Sequence, residues 1–308
     1  MPDSDAPDTY RYPRYLAAKK TVDDRALNER VWRRFLKALE ARGPALRVLE
    51  VGGGVGATVE RLVSALENRE VDALTYTLVD IAPENIEAAV ESLHGWAEAK
   101  GYRVSTTNGA TPRQRWSEGP LSVSVRFVTA DLHEVSPPGP CDALVAQAVF
   151  DLMDVPAALR ALRPSLQEDG LWYVPIHFDG VTAFEPPTNP SLDAAVERLY
   201  HQSMTDEEGG RHGVHSGRRL LTHLRDAGAE VLAAGGSDWV VVPGSDGYVG
   251  DEAYFLHHIL HFIEDELSGH PDLADARLAD WVQTRRVQIE AGELVYLTHQ
   301  LDVLARMS

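Results

Sequence analysis

The stretch RVLEVGGGVGATVERL, residues 47–62, sets Gly52, Gly54 and Gly56 at alternate positions where an apolar run passes into an amphipathic one. Glycine there lets backbone approach a ligand with no side chain between, and a helix opening just after it would aim N–H groups at that ligand. Glu50 stands two residues before the first glycine, a charge inside an apolar run. Buried alone it would be costly, so it calls for backbone N–H groups or an ammonium as partner. Two more carboxylates end apolar segments, Asp80 in LVDIAP and Asp131 in VTADL. His177, in VPIHFDG, is a candidate general base, and Asp151 is a second. The i, i+4 pair His257 and His261 in HHILH has metal-binding spacing, but no third ligand lies near it in sequence. A packed or exposed cluster is expected there, and no metal.

These groups need elements to carry them. Trp32, Phe35, Leu36 and Leu39 mark a first helix after a loosely ordered start over residues 1–20. Strands are predicted at 46–51, 73–80, 123–131, 142–150 and 170–178. Helices between them carry Val59, Leu62, Val63 and Leu66, then 83–100, then 155–166, while 101–120 reads as a long loop. Strands alternating with helices imply a parallel sheet covered on both faces. After a helix at 191–203, the polar, glycine-rich segment 206–217 reads as a mobile loop, and a helix follows at 216–228. AEVLAAGGSDWVVVP, residues 229–243, reads as two strands around Gly-Gly-Ser, a hairpin signal. Residues 251–308 carry no strand signal, and Leu294, Leu297, Leu301 and Leu304 fall at helical spacing. The expected fold is α/β: a seven-stranded, doubly wound, Rossmann-like sheet of five parallel strands plus a terminal antiparallel hairpin. Its expected divisions are an N-terminal helical segment over the cofactor site (1–45), a core (46–243) and a C-terminal helical appendage (244–308).

Composition narrows the function. A chain of 308 residues, 44% hydrophobic and 25% charged, is ordinary for a globular protein. The formal net charge of −18 argues against a nucleic-acid partner bound through phosphates. No apolar run nears the roughly 20 residues that cross a bilayer, and the polar start lacks a signal-peptide core. No membrane partner and a cytoplasmic address are therefore expected. The single cysteine, Cys141, excludes an internal disulfide framework.

Two cofactor classes share the glycine turn. Gly52, Gly54 and Ala57 satisfy the dinucleotide pattern G-x-G-x-x-G/A, with Asp80 near the right distance for a ribose. Gly52, Gly54 and Gly56 equally satisfy the G-x-G-x-G of S-adenosylmethionine enzymes. Glu50 separates them: it would repel a pyrophosphate and welcome a cationic, amine-bearing tail.

From about residue 46 to 242 the chain resembles a class I S-adenosylmethionine-dependent methyltransferase. VLEVGGGVG is similar to that family's first motif, LVDIAPENI to its second, TADL to its third and DALVAQAVFDLM to its fourth. The resemblance implies S-adenosyl-L-methionine as cofactor, with Glu50 and the glycines at its amino-acid end. It implies Asp80 on the ribose hydroxyls, Ile81 beside adenine, Asp131 near the adenine amino group with Leu132 packed nearby, and Ala146 and Gln147 along the methionine portion. Asp151-Leu152 departs from the histidine pair that many relatives carry. Segments outside the core are expected to fold over the cofactor and choose a small-molecule acceptor; Tyr15, Lys19, Arg25, Tyr296 and His299 are the candidates for its walls. The rival readings are an NAD(P)-dependent oxidoreductase and a non-catalytic S-adenosylmethionine-binding module.

Overall fold

The computed structural model describes residues 7, 9–135, 139–206 and 211–307. In chain order the elements are α1 (Tyr12–Ala18), α2 (Lys20–Ala26), α3 (Glu29–Glu40), β1 (Ala45–Val51), α4 (Ala57–Leu66), β2 (Ala73–Asp80), α5 (Pro83–Ala99), β3 (Arg103–Thr107), β4 (Arg113–Ser117) and β5 (Ser122–Thr129). They continue with β6 (Cys141–Val145), α6 (Val155–Leu162), β7 (Leu166–Glu185), α7 (Pro190–Ser203), β8 (Thr205–Asp206), β9 (Arg211–His212), α8 (Ser216–Asp226), β10 (Ala229–Gly236), β11 (Trp239–Val241), α9 (Glu252–Leu267), α10 (Asp275–Glu290) and β12 (Val295–Met307). Asn28, Asp154 and Asn189 cap α3, α6 and α7 with side-chain oxygens that accept backbone N–H groups.

The main sheet has ten strands where seven are expected, in the order β10–β12–β7–β6–β1–β2–β5–β4–β3, with β11 joined to β12. Neighbours from β5 through β2, β1 and β6 to β7 pair in parallel. One apolar cluster fills the face under α3, α4 and α5, around Phe35, Leu62 and Leu93; a second fills the face under α6 and α8, around Leu159 and Leu220. A third, around Tyr15, Val196, Phe255 and Trp281, joins α1, α2, α7, α9 and α10 above the sheet.

Four expectations fail. The segment 101–120 is no plain loop, because β3 and β4 form an antiparallel hairpin that extends the sheet beyond β5. The expected 229–243 hairpin does not form, since β10 and β11 each pair with β12 instead of with one another. Residues 295–307, expected as helix, are β12, lying antiparallel between β7 and β10. Residues 12–18, expected to be loosely ordered, are helical, begun by Pro13 and pinned where Tyr15 stacks on Phe255 and His258 of α9. Residues 207–210 of the expected mobile loop lie outside the described residues; β8 and β9 pair across them.

Strand β12 reshapes the top of β7. Its register slips between His299 and Gln300, and again between Leu301 and Val303. Opposite this irregularity Ile176 takes φ +55°, a left-handed conformation that a β-branched residue rarely adopts. The fully buried Asp302 holds it there, accepting from the Ile176 N–H at 2.8 Å and from the Asn28 N–H at 2.8 Å.

Candidate active site

A cavity of about 810 Å³ opens outside the carboxyl ends of β1, β2, β5, β6 and β7, where ligands of open α/β sheets bind. Helices α1, α2, α7 and α9 wall it from above, and β11 and β12 contribute Trp239, Tyr296, Thr298 and Gln300.

The glycine turn forms one edge. Gly52, Gly54 and Gly56 have φ of +64°, +51° and +88°. A Cβ on Gly52 would lie 2.6 Å from Val149, and one on Gly54 would lie 2.9 Å from Leu16, both residues of the cavity wall. Glycine therefore lets the walls close on the turn. Within the turn, Gly53 donates to the Val79 carbonyl, Gly54 to Asp80 Oδ2 at 2.9 Å, and Gly56 to the Gly53 carbonyl. A diphosphate would find those three donors already taken.

Glu50, at the end of β1, is 1% exposed and lines the cavity. Burial pushes its carboxyl up to about 7, against the opposing pull of the Thr58 and Tyr76 hydroxyls and of Arg61. Tyr76 donates to Oε2 at 2.8 Å. A carboxyl so placed is half ionised at neutral pH and gains most from a cation. Asp80, at the end of β2, accepts from Gly54 N, from Ala82 N at 2.9 Å and from Asn85 Nδ2 at 3.1 Å, which fixes both oxygens at the cavity edge. Ile81, next to it, is 69% exposed and lines the cavity. Asp131 caps the short turn at 132–134 through the His133 N–H, and it lines the cavity with Leu132.

A polar network, only partly foreseen, closes the α2 side. Asp23 accepts from Lys19 Nζ at 2.6 Å, from Gln147 Nε2 at 2.8 Å and from Trp239 Nε1 at 2.9 Å. Gln147 in turn accepts from Arg61 Nη1 at 2.9 Å, and Arg61 pairs with Asp24 at 2.7 Å. Burial would lower the Arg61 pKa, but Asp24 and Asp23 outweigh it and raise the value. Asp23, Arg61 and Trp239 escaped notice because their partners are separated by up to 216 residues; the i, i+4 spacing of Lys19 and Asp23 was the one local clue.

Across the cavity Asp151 lines the wall, while His177, fully buried, lies behind it and off the cavity surface. Ser216 Oγ lies 3.0 Å from His177 Nε2, and Asp151 Oδ1 lies 3.9 Å from His177 Nδ1. Burial lowers the His177 pKa, with Asp151 and Asp179 pulling the other way. His177 therefore offers no atom directly to the cavity. Ser216, equally buried, is no nucleophile despite the Ser-His-Asp sequence of contacts.

The cavity brings together Glu50, Gly52, Gly54, Asp80, Ile81, Asp131, Leu132, Gln147, Asp151, Tyr15, Lys19 and Tyr296. Four other candidates lie elsewhere. Gly56 packs on α5, where a Cβ would meet Leu93 at 2.7 Å, and Ala146 is buried in the sheet core. Arg25 pairs with Glu252 at the junction of α2 and α9, and His299 pairs with Asp238 at 2.7 Å. His257 and His258 are packed, the latter stacked on Tyr15. Among the described residues no group of three or more His, Cys, Asp or Glu could hold a metal, and no helix is long and apolar enough to cross a membrane.

A 94-residue stretch is 27% identical to the highly reducing polyketide synthase bet1 of Neocamarosporium betae; it covers 30% of this chain and 3% of that much longer protein. Among solved structures, an S-adenosylmethionine-dependent methyltransferase of Thiobacillus denitrificans in complex with S-adenosyl-L-homocysteine aligns over 98% of this chain and 100% of its own, at 15% identity and a TM-score of 0.48. One of Geobacter sulfurreducens, also with S-adenosyl-L-homocysteine, aligns over 97% and 100% at 13% identity and 0.48. The family model described as a methyltransferase domain matches residues 24–234, more than half of the chain, from α2 through the glycine turn and Asp151 to β10. The chain belongs to that methyltransferase family.

Proposed function

We propose that the protein is an S-adenosylmethionine-dependent methyltransferase that passes a methyl group to a small-molecule acceptor by in-line displacement. The observation that carries this reading is Glu50: a buried carboxyl, pushed up to about 7, beside a turn that spends the Gly53, Gly54 and Gly56 N–H groups within the protein. Such a turn suits an ammonium and repels a diphosphate, which disfavours the nicotinamide alternative. The family match points the same way.

The residues present fit this cofactor. Asp80, oriented by three N–H donors, keeps lone pairs for the ribose hydroxyls, and Ile81 offers its exposed side chain to the adenine face. Asp131 can accept from the adenine amino group, and Leu132 packs alongside. Lys19, with Gln147 and the Asp23 network, flanks the amino-acid end that Glu50 anchors. When bound, the cofactor supplies a methyl group already activated on a sulfonium. The chain's task is alignment and exclusion of water, which α1, α2 and α9 perform by roofing the cavity. Asp151, on the wall with His177 behind it, takes the acceptor's proton where the acceptor carries one.

Calorimetric titration with S-adenosylhomocysteine tests the donor site. Micromolar binding is expected, and Asp80→Ala should weaken it about tenfold or more through loss of charge-assisted hydrogen bonds. Unchanged affinity in that variant, or binding of NAD in place of S-adenosylhomocysteine, would overturn the assignment. Mass analysis of a broad acceptor panel separates an enzyme from a module that binds cofactor without turnover.

A further inference from the structure

We propose that the methyl acceptor is a cationic amine, seated among the rings of Tyr12, Tyr200 and Phe262 against the carboxylate of Asp151. This rests on the methyltransferase reading and adds the substrate class. Three observations support it.

The first is charge. Away from the glycine turn the wall carries Asp151, with Asp265 and Glu266 nearer solvent on α9. Among the residues whose side chains are described, which exclude 205–212, Lys19 is the one basic group on the cavity wall, and Asp23 already holds it at 2.6 Å. An anionic acceptor would meet these like charges; a cation meets opposite ones.

The second is aromatic surface. Tyr12, Tyr200 and Phe262 come from three different helices, α1, α7 and α9, to one cavity. Ring faces attract ammonium groups, and a cage of them binds substituted amines. Asp151 and the three rings line the same cavity. Burial is the largest cause raising the pKa of both hydroxyl-bearing rings, followed by Asp80 for Tyr12 and Glu266 for Tyr200, with Asp151 next for each.

The third is unsatisfied acceptors. Gln300, 3% exposed on the cavity wall, spends its Nε2 on Thr298 Oγ1 at 2.9 Å and leaves Oε1 with no donor. Asp151 Oδ1 also lacks a donor among the described residues. Buried acceptors without donors are rare, and two on one wall call for a ligand rich in N–H groups. A primary or secondary ammonium supplies them.

The chemistry balances on these groups. The ammonium gives one N–H proton to Asp151. The freed lone pair forms the N–CH3 bond as the C–S bond breaks, its electron pair remaining on sulfur, and the proton finally passes to solvent.

The test uses the full chain saturated with S-adenosylhomocysteine, titrated with choline and with 3,3-dimethylbutan-1-ol, its uncharged carbon isostere. Choline should bind about tenfold more tightly than the alcohol. Asp151→Asn should bring the two within about twofold while S-adenosylhomocysteine binds as before; Glu266→Gln, at the rim, should cost choline a smaller factor if the first variant folds poorly. With the methyl donor present, benzylamine and N-methylbenzylamine should gain a methyl group while benzoate and phenol do not. Equal binding of the two probes, binding of neither, indifference to both substitutions, or methylation of benzoate or phenol in preference to the amines would overturn the proposal. Failure of S-adenosylhomocysteine itself to bind would instead sink the donor-site reading.

Discussion

Replacing Glu50 by Gln should stabilise the free protein above neutral pH while loosening its hold on the cofactor. Burial moves the Glu50 carboxyl from an ordinary 4.5 to about 7. Between those values the unfolded chain has released the proton and the folded chain keeps it, so stability falls as pH rises through that window. At about 1.4 kcal/mol per pH unit the loss reaches about 3 kcal/mol by pH 8. Gln fills the same space, can accept from the Tyr76 hydroxyl and carries no charge. Glu50→Gln should therefore melt above the parent at pH 8, with the gap shrinking below about 1 kcal/mol at pH 5. Binding should show the opposite face of the same linkage. An ammonium beside Glu50 favours the ionised carboxyl, so affinity for S-adenosylhomocysteine should rise as pH approaches 7, by up to about tenfold per unit, and level off above it. Near pH 6.5 about three quarters of a proton should be released on binding, read as a dependence of calorimetric enthalpy on the buffer's ionisation heat. Glu50→Gln should abolish that dependence and bind at least about tenfold more weakly. A variant no more stable than the parent at pH 8, or parent binding without proton release, would refute the reasoning.

Other substitutions separate scaffold from site. Gly56→Ala, at φ +88° and 2.7 Å from Leu93, should cost about 1–3 kcal/mol in urea unfolding yet change cofactor affinity less than about twofold, because Gly56 lies off the cavity. Asp302→Ala strips one buried and one part-buried backbone N–H group of their acceptor, so a loss of about 2 kcal/mol by the same measurement is expected. Burial pushes His257 and His258 down to about 4, so both stay neutral in the fold while the unfolded imidazoles protonate near 6.5. Stability present above pH 6.5 should drain as pH falls toward 4, and His258→Phe should flatten the acid limb of a melting-temperature profile.

The half of the fold built from alternating strands and helices was legible because each element carries its own period and stop signals. Glu50, Gly52, Gly54, Asp80, Asp131 and Gln147 sit at strand ends, and the cavity gathers them because parallel strands deliver their carboxyl ends to one edge. Strand β12 was hidden by an inverted pattern. Tyr296, Thr298, Gln300 and Asp302 alternate on one face, but three of the four are polar and buried, while Leu294, Leu297, Leu301 and Leu304 imitate a helical stripe. A strand that paves a polar cavity does not display the apolar alternation by which strands are found. The 229–243 segment misled for a related reason: Gly-Gly-Ser marks a chain reversal correctly, yet both arms pair with a strand some sixty residues further on, which no local signal encodes. Arg25 and His299 were reasonable wall candidates by position, but nearby carboxylates of Glu252 and Asp238 claim them first.

The most direct measurement is a crystal structure of the chain grown with S-adenosylhomocysteine. The account expects the amine of the ligand against the Glu50 carboxylate, the ribose hydroxyls on Asp80 and the adenine beside Ile81, with the sulfur facing Asp151. Electron density for a ligand that leaves Glu50 and Asp80 untouched, or a diphosphate lying along the glycine turn, would contradict it.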